Sequence, residues 1–424
     1  MGDNMAWLDN FNIITSIILA VCYTYQFFYI FYAIIKKPVQ FPNVTPKNRY
    51  AVLLSARNEE SVIGHLLESI KNNDYPSELV DVFVVADNCT DQTANISREK
   101  GAIVYERFDK EKIGKGYALD YLLKKIRKKY GRNHYNGFFV FDADNLLESN
   151  YISEMNKCFS AGHRIITSYR NSKNYGTNWI SAGYALWFMR EARYLNNPRF
   201  LLGISCAVSG TGFLVHRDIF MNQGGWKHFL LTEDIEFSID NVIKGERIAY
   251  CHSAMLYDEQ PTTLAQSWRQ RLRWSKGFLQ VVRKYGRKLF RSLLHRREFS
   301  YFDMMMTIAP ALFLTVTNFI VNLGAFIFAL FIDRYLAIGV LYGIYTPLVK
   351  AYLMLFIVGV ITGITEWKKI HTSTGRKILS FFTFPFFMLT YIPIAVQSLF
   401  SKTEWKPIKH SVSVSIDQVK KPPH

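Results

Sequence analysis

The chain has 424 residues with 51 Lys and Arg against 34 Asp and Glu, a formal charge of +17, and 49% hydrophobic and 16% aromatic side chains. That much apolar and aromatic material exceeds what one soluble domain needs, so membrane segments are expected beside one sizeable domain. Five cysteines, odd in number and without CxxC spacing, argue against a disulfide framework or a structural zinc and imply a reducing compartment. The basic excess would suit nucleic acid or anionic lipid; because the lysines and arginines cluster beside apolar runs, membrane lipid is the expected partner and nucleic acid is not.

Residues 11–35 carry no charge. At roughly 1.5 Å per residue they can cross a hydrocarbon core of about 30 Å. The run is too long for a signal-peptide core and ends at Lys36-Lys37-Pro38 instead of a cleavage site, so a retained transmembrane helix is predicted. Asp3 and Asp9 precede it, and Lys36, Lys37 and Lys47 follow it. The positive-inside rule then places the N-terminus outside and the following domain in the cytoplasm.

From about residue 48 to 277 the texture changes. Short β-rich runs at 50–55, 79–86, 137–141 and 164–168 alternate with helical patterns such as Ala118, Leu119, Leu122, Leu123 and Ile126. The alternation predicts an α/β domain of βαβ units with a mostly parallel sheet, whose ligands bind beyond the carboxyl ends of the strands. Those ends are polar. Arg57 and Glu59 follow the first strand; Asp87 follows the second, with Asp91 read as a helix cap. Gly114-Lys115-Gly116 opens a helix, where backbone N–H groups and a lysine suit a pyrophosphate. Asp142-Ala143-Asp144 ends a strongly apolar strand, and two carboxylates on one turn are either solvated or approach one hard cation, Mg or Mn, that would bridge a diphosphate.

Thr232-Glu233-Asp234 reads as an acidic first helical turn, or as a carboxylate placed to deprotonate an acceptor hydroxyl. Gln270-Arg271-Leu272-Arg273-Trp274 is a basic helix at the membrane surface, or a flat indole beside donors that would stack on and hydrogen-bond a sugar acceptor. Residues 281–297 interleave Leu289, Phe290, Leu293 and Leu294 with seven Lys or Arg, an amphipathic pattern expected to lie on the anionic inner leaflet. The runs 303–333 and 335–365 predict a transmembrane hairpin. The run 378–400 holds Pro385 and Pro393 and precedes a tail with Lys402, Lys406, Lys409, Lys420 and Lys421; a crossing would leave those lysines outside, so an interfacial or re-entrant helix is expected.

In this order, Asp87, Asp142-Ala143-Asp144, Thr232-Glu233-Asp234 and Gln270-Arg271-Leu272-Arg273-Trp274 resemble the D, DxD, TED and QxxRW signatures of the membrane-bound family-2 glycosyltransferases, which include cellulose, hyaluronan, chitin and poly-N-acetylglucosamine synthases. The resemblance implies a GT-A fold, a nucleotide-diphosphate sugar such as UDP-glucose or UDP-N-acetylglucosamine, Mg or Mn, and inverting transfer to a β-linkage. It implies that Arg57, Glu59, Asp87 and Asp142 serve the nucleotide, with Lys115 near the diphosphate and Asp144 on the metal. Asp234 would be the general base beside Glu233. Gln270, Arg273 and Trp274 would hold the nucleotide and the acceptor terminus, and Gly210, Thr211 and Gly212 would line the acceptor side. The stretch Glu404-Trp405-Lys406-Pro407-Ile408-Lys409-His410 resembles a gating loop, with Trp405, Lys406 and Lys409 closing over the nucleotide. The expected organisation is a helix and linker over 1–47, the catalytic domain over 48–277, interfacial and transmembrane helices over 278–400 and a basic tail over 401–424. The leading expectation is extension of a β-linked polysaccharide, with single-sugar transfer to a lipid-linked acceptor as the alternative. Two firm spans after the catalytic domain are few for a complete export channel, so a homo-oligomer or an accessory export protein is an expected partner.

Overall fold

The computed structural model describes residues 6–45, 47–402, 410 and 412–420. The alternating runs of the middle of the chain build one sheet: β1 (Tyr50–Ala56), β2 (Val80–Asp87), β3 (Ile103–Arg107), β4 (Gly137–Asp142), β5 (Leu146–Leu147), β6 (Ile165–Ser172), β7 (Phe213–His216) and β8 (Ile248–Asp258), in the order β3-β2-β1-β4-β7-β6-β8-β5. The pairs β3/β2, β2/β1, β1/β4 and β6/β8 are parallel, whereas β7 runs antiparallel to β4 and β6, and β5 antiparallel to β8. The expected α/β class with a mostly parallel sheet is therefore what forms. Strand order reverses between β1 and β4, and such a switch point opens a crevice beyond the strand ends, here at Ser55 paired with Asp142. Apolar helices cover both faces of the sheet. The helix Lys115–Tyr130 buries Ala118, Leu119, Leu122, Leu123 and Ile126, the stripe its sequence announces, and each large apolar side chain so removed from water contributes about 1.5–3 kcal/mol.

Among the described residues, four helical segments are long and apolar enough to cross a membrane: Ala6–Ile35, Phe299–Leu330, Arg334–Thr365 and Thr374–Phe400. Three are interrupted. The first breaks at Thr24 and the second at Ala309, where Pro310 starts the next helix as its first residue. The last breaks at Thr390 between Thr374–Leu389 and Tyr391–Phe400, since the Pro393 ring crowds the carbonyl four residues earlier, that of Leu389. Glycines let this segment approach closely: a Cβ on Gly183 would meet Phe387 at 2.4 Å, and one on Gly363 would meet Phe381 at 2.0 Å.

One expectation needs correction. Residues 281–297, expected as an amphipathic helix lying on the inner leaflet, end a 33-residue helix, Leu264–Arg296 with Arg297 as its cap, whose stripe Val281, Tyr285 and Leu289 is buried in the main core instead of facing lipid. Of Leu289, Phe290, Leu293 and Leu294, only Phe290 and Leu294 are exposed, because the helix packs against Glu233–Ile243 and Phe299–Ile308.

Candidate functional site

The loops that leave β1 and β2 turn sharply at Asn58 and Asn88, whose φ values of 57° and 54° asparagine tolerates better than most residues. The Asn58 side chain accepts a hydrogen bond from the Thr90 amide at 2.8 Å, tying the two strand ends together. Asp91 accepts from the Thr93 amide and hydroxyl at 3.1 and 2.6 Å, a turn-stabilising role one residue before the cap position, which is Gln92; the reading of Asp91 as the cap is off by that residue. Asp87, buried at the end of β2, is ion-paired with Arg107 at the end of β3. Burial raises its carboxyl, and Arg107 opposes that rise.

Across the switch point, Lys115 donates to Asp142 at 2.5 Å and to the Gly210 carbonyl at 2.7 Å. Burial alone would lower the Lys115 ammonium, but Asp142, Glu233 and Asp234 raise it and keep it charged. Asp144 is buried, and its Oδ2 accepts the Glu259 amide at 2.9 Å. Arg170 of β6 is ion-paired with Asp258 at the end of β8 and donates to the Ser209 carbonyl at 3.1 Å. Burial lifts Asp258 to about 6, with the negative Asp144 adding to the rise and Arg170 working against it. His410, from the far end of the chain, bonds Glu59 at 2.9 Å and stands 3.9 Å from Asp144. Burial would lower this imidazole, but Asp144, Glu59 and Glu259 raise it to about 10.

Glu233 and Asp234 begin the helix Glu233–Ile243. That helix is fixed from behind: buried Glu236 accepts from the Leu230 amide at 2.9 Å and from Lys284 and Tyr285 of the long helix at 2.5 and 3.1 Å. Gly277 permits the close approach, since a Cβ there would meet Thr232 at 2.5 Å. The Thr232 hydroxyl does not cap the helix; it is buried without a partner among the described residues. Burial raises Glu233, the adjacent Asp234 raises it further, and Asp234 is itself raised by burial. Gln270, Arg273 and Trp274 extend along the facing helix; Trp274 packs edge-on to Tyr184 and Phe188 with centroids 5.8 and 6.3 Å away.

The strand-end carboxylates, Lys115, Arg170, the pair Glu233 and Asp234, and Gln270, Arg273 and Trp274 open into one cavity of about 1180 Å³. Of the residues expected at the site, Arg57, Glu59, Asp87, Lys115, Asp142, Asp144, Gly210, Glu233, Asp234, Gln270, Arg273 and Trp274 line it. Thr211 and Gly212 do not. Thr211 is buried and receives the Asp142 amide at 2.9 Å, while a Cβ on Gly212 would meet Leu256 at 2.0 Å, so both support the loop that presents Gly210. Trp405, Lys406 and Lys409 lie outside the described residues. The sequence reading missed Arg170, Glu191, Arg199, Asp258 and Glu259 as lining residues. A strand-end signal existed for Asp258 and Glu259, since they close β8, whereas Glu191 and Arg199 fall in helical turns with no local motif.

The cavity does not stop at the carboxylates. It continues between the candidate membrane helices past Leu19, Phe319, Phe326, Leu348 and Pro393, and among the described residues no lining residue between 306 and 395 is charged. Asn318 and Asn322 line its deep end, where both bond Asn12 of the first helix at 3.0 and 2.8 Å. At the other end, nine carboxylates face five Lys or Arg among the described lining residues. A chain of +17 has gathered an acidic pocket.

Residues 46–277 match the family described as glycosyltransferase like family 2. The chain is 26% identical over 323 residues to a probable glycosyltransferase of Bacillus subtilis (strain 168), with 70% of each chain covered. It is likewise 26% identical over 272 residues to the beta-monoglucosyldiacylglycerol synthase of Nostoc sp. (strain PCC 7120), covering 60% of this chain and 54%, just over half, of that relative's length. Among solved structures, a mannosyltransferase of Pyrobaculum calidifontis in complex with GDP-Man and Mn2+ superposes on 92% of this chain and 99% of its own, with a TM-score of 0.57 at 16% identity. That likeness concerns the fold.

Proposed function

The chain belongs to the family-2 glycosyltransferases, and we propose that it transfers a single sugar from a UDP-linked donor to the hydroxyl of a lipid acceptor. The continuity of the cavity carries this reading: one space joins the carboxylates of the strand ends to an uncharged slot between the candidate membrane helices. A lipid could leave its chains in that slot while its head reaches Asp234.

In this reading residues 48–277 face the cytoplasm, the N-terminus lies outside, and Thr374–Phe400 rests at the interface. Its Phe387 packs on Gly183 of the catalytic domain, which supports the interfacial placement. Asp87, Asp142, Arg57 and Glu59 would hold the nucleoside, while Lys115 and Arg273 would face the diphosphate. Gln270, whose Oε1 is buried without a partner among the described residues, has an acceptor to offer a substrate hydroxyl or N–H. Asp234 takes the acceptor proton as that oxygen attacks the anomeric carbon and the bond to the diphosphate breaks on the opposite face, inverting the configuration.

Asp144, with Asp142 beside it, supplies the oxygen ligands Mg or Mn takes, and an acidic pocket repels an unaccompanied diphosphate; among the described residues no group of three or more His, Cys, Asp or Glu is gathered for a metal, so the donor's diphosphate oxygens would complete such a site. Such an ion would supply charge neutralisation to the leaving group. Chain extension is the second reading, favoured by the Asn12, Asn318 and Asn322 cluster, which offers hydrogen bonds to a glycan inside the bundle. Incubating the purified chain with UDP-sugars and membrane lipids separates the two: a lipid one hexose or N-acetylhexosamine heavier is expected by mass spectrometry, and a ladder of polymer overturns the single-sugar reading.

A further inference from the structure

We infer that the acceptor presents an uncharged hydroxyl head and that Glu191 selects it. The inference rests on the lipid-acceptor reading above. A continuous helical run, Trp179–Glu191 followed by the π-turn Ala192–Asn196 and Asn197–Leu201, presents Trp187, Phe188, Glu191, Leu195 and Arg199 to the cavity at three- and four-residue spacing. A π-turn inside a helix often marks a functional position.

Glu191 occupies the passage between the reaction centre and the membrane slot. On one side Ser209 donates to its Oε2 at 3.4 Å, and next to Ser209 a Cβ on Gly210 would stand 3.9 Å from Asp234. On the other side Arg199 grips Asp303 of the helix Phe299–Ile308.

The cations of this passage are already committed. Arg170 holds Asp258, and Arg199 donates twice to Asp303, at 2.7 and 2.8 Å, with Tyr25 and Tyr29 completing that carboxylate's partners. Arg273 is without a hydrogen bond or ion pair among the described residues, and the donor's diphosphate claims it. Glu191 has no ion pair among those residues, and Glu233 and Asp234 lie just beyond. A phosphate-bearing lipid head would therefore meet carboxylates with no free cation to offset them. A neutral hydroxyl would instead donate to Glu191. A second observation points to a hydrogen-bonding ligand in this wall: Thr232 is 4% exposed, lines the cavity, and its Oγ1 has no partner among the described residues.

The test uses the full chain in nanodiscs with a UDP-sugar, offering a diacylglycerol, the phosphatidylglycerol with the same acyl chains, which keeps free hydroxyls beside its phosphate, and a soluble oligosaccharide primer. The diacylglycerol is expected to exceed the phosphatidylglycerol in kcat/KM by at least about tenfold. Glu191→Gln should raise the KM for diacylglycerol by about tenfold with donor KM unchanged, Glu191→Asp should recover part of the loss, and Glu191→Lys should move preference toward the phosphatidylglycerol. UDP binding by calorimetry reports whether each variant is folded. A wild-type preference for phosphatidylglycerol, or a folded Glu191→Gln protein that slows both lipids equally, overturns the role of Glu191 and leaves the lipid reading standing. Sugar transfer to the primer alone overturns the lipid reading itself.

Discussion

The two ends of the cavity are built on opposite principles. At the strand ends charge is dense and only partly matched, with an excess of carboxylates: Asp87 pairs with Arg107, Asp142 with Lys115, Asp258 with Arg170. Between the candidate membrane helices the lining among the described residues is uncharged, with side chains such as Leu323, Leu341 and Leu348. Preorganised charge near a breaking bond acts through the transition state, whereas an apolar slot acts through occupancy. Damage to the first end should therefore appear in kcat, and damage to the second in the acceptor KM.

The sharpest way to break that division is to remove the cation. Chelation with EDTA is expected to abolish transfer and added Mg or Mn to restore it, and Asp144→Asn should lose donor use while its thermal unfolding stays near wild type. Full activity in EDTA would show that Lys115 and Arg273 suffice for the diphosphate. Next in size, Asp234→Asn should lower kcat by about 100- to 10,000-fold with UDP binding nearly unchanged, measured by stopped assays and calorimetry. A variant near wild type would make Asp234 a first-turn carboxylate and nothing more. At the membrane end, Leu348→Glu should raise the acceptor KM by about tenfold and leave the donor KM alone. An equal change in both would mean that the two ends are not separable.

What could be read in advance follows from how local each signal is. A carboxylate after an apolar strand is a short-range pattern, and the parallel sheet brings all such ends together, so Asp87, Asp142 and Asp144 were legible. The other charged pairs of the cavity were less so, because Arg170 meets Asp258 across 88 residues and Arg199 meets Asp303 across 104. Gly210 and Gly212 look alike in sequence, yet one borders the cavity and the other makes room for Leu256. An amphipathic stripe does not say whether it faces lipid or protein. In 281–297 it faces protein at Leu289, since a neighbouring helix buries it.

The smallest expected effect tests how the reaction centre is tuned. Both Glu233 and Asp234 have their carboxyls raised, by burial first and, for Glu233, by its neighbour's charge second. A general base works only when deprotonated, so the acid limb of kcat/KM for the acceptor should fall above the usual aspartate value of about 3.9. Activity is lost as pH drops through that raised value. Glu233→Gln removes the adjacent negative charge, which makes Asp234 easier to ionise and should move the acid limb to lower pH by something under about one unit. Because the pair is coupled, the wild-type limb belongs to both carboxyls, and only the variant reports Asp234 alone. An acid limb that stays in place in Glu233→Gln would mean that burial alone sets the base, and a limb that moves to higher pH would assign the proton transfer to a different group.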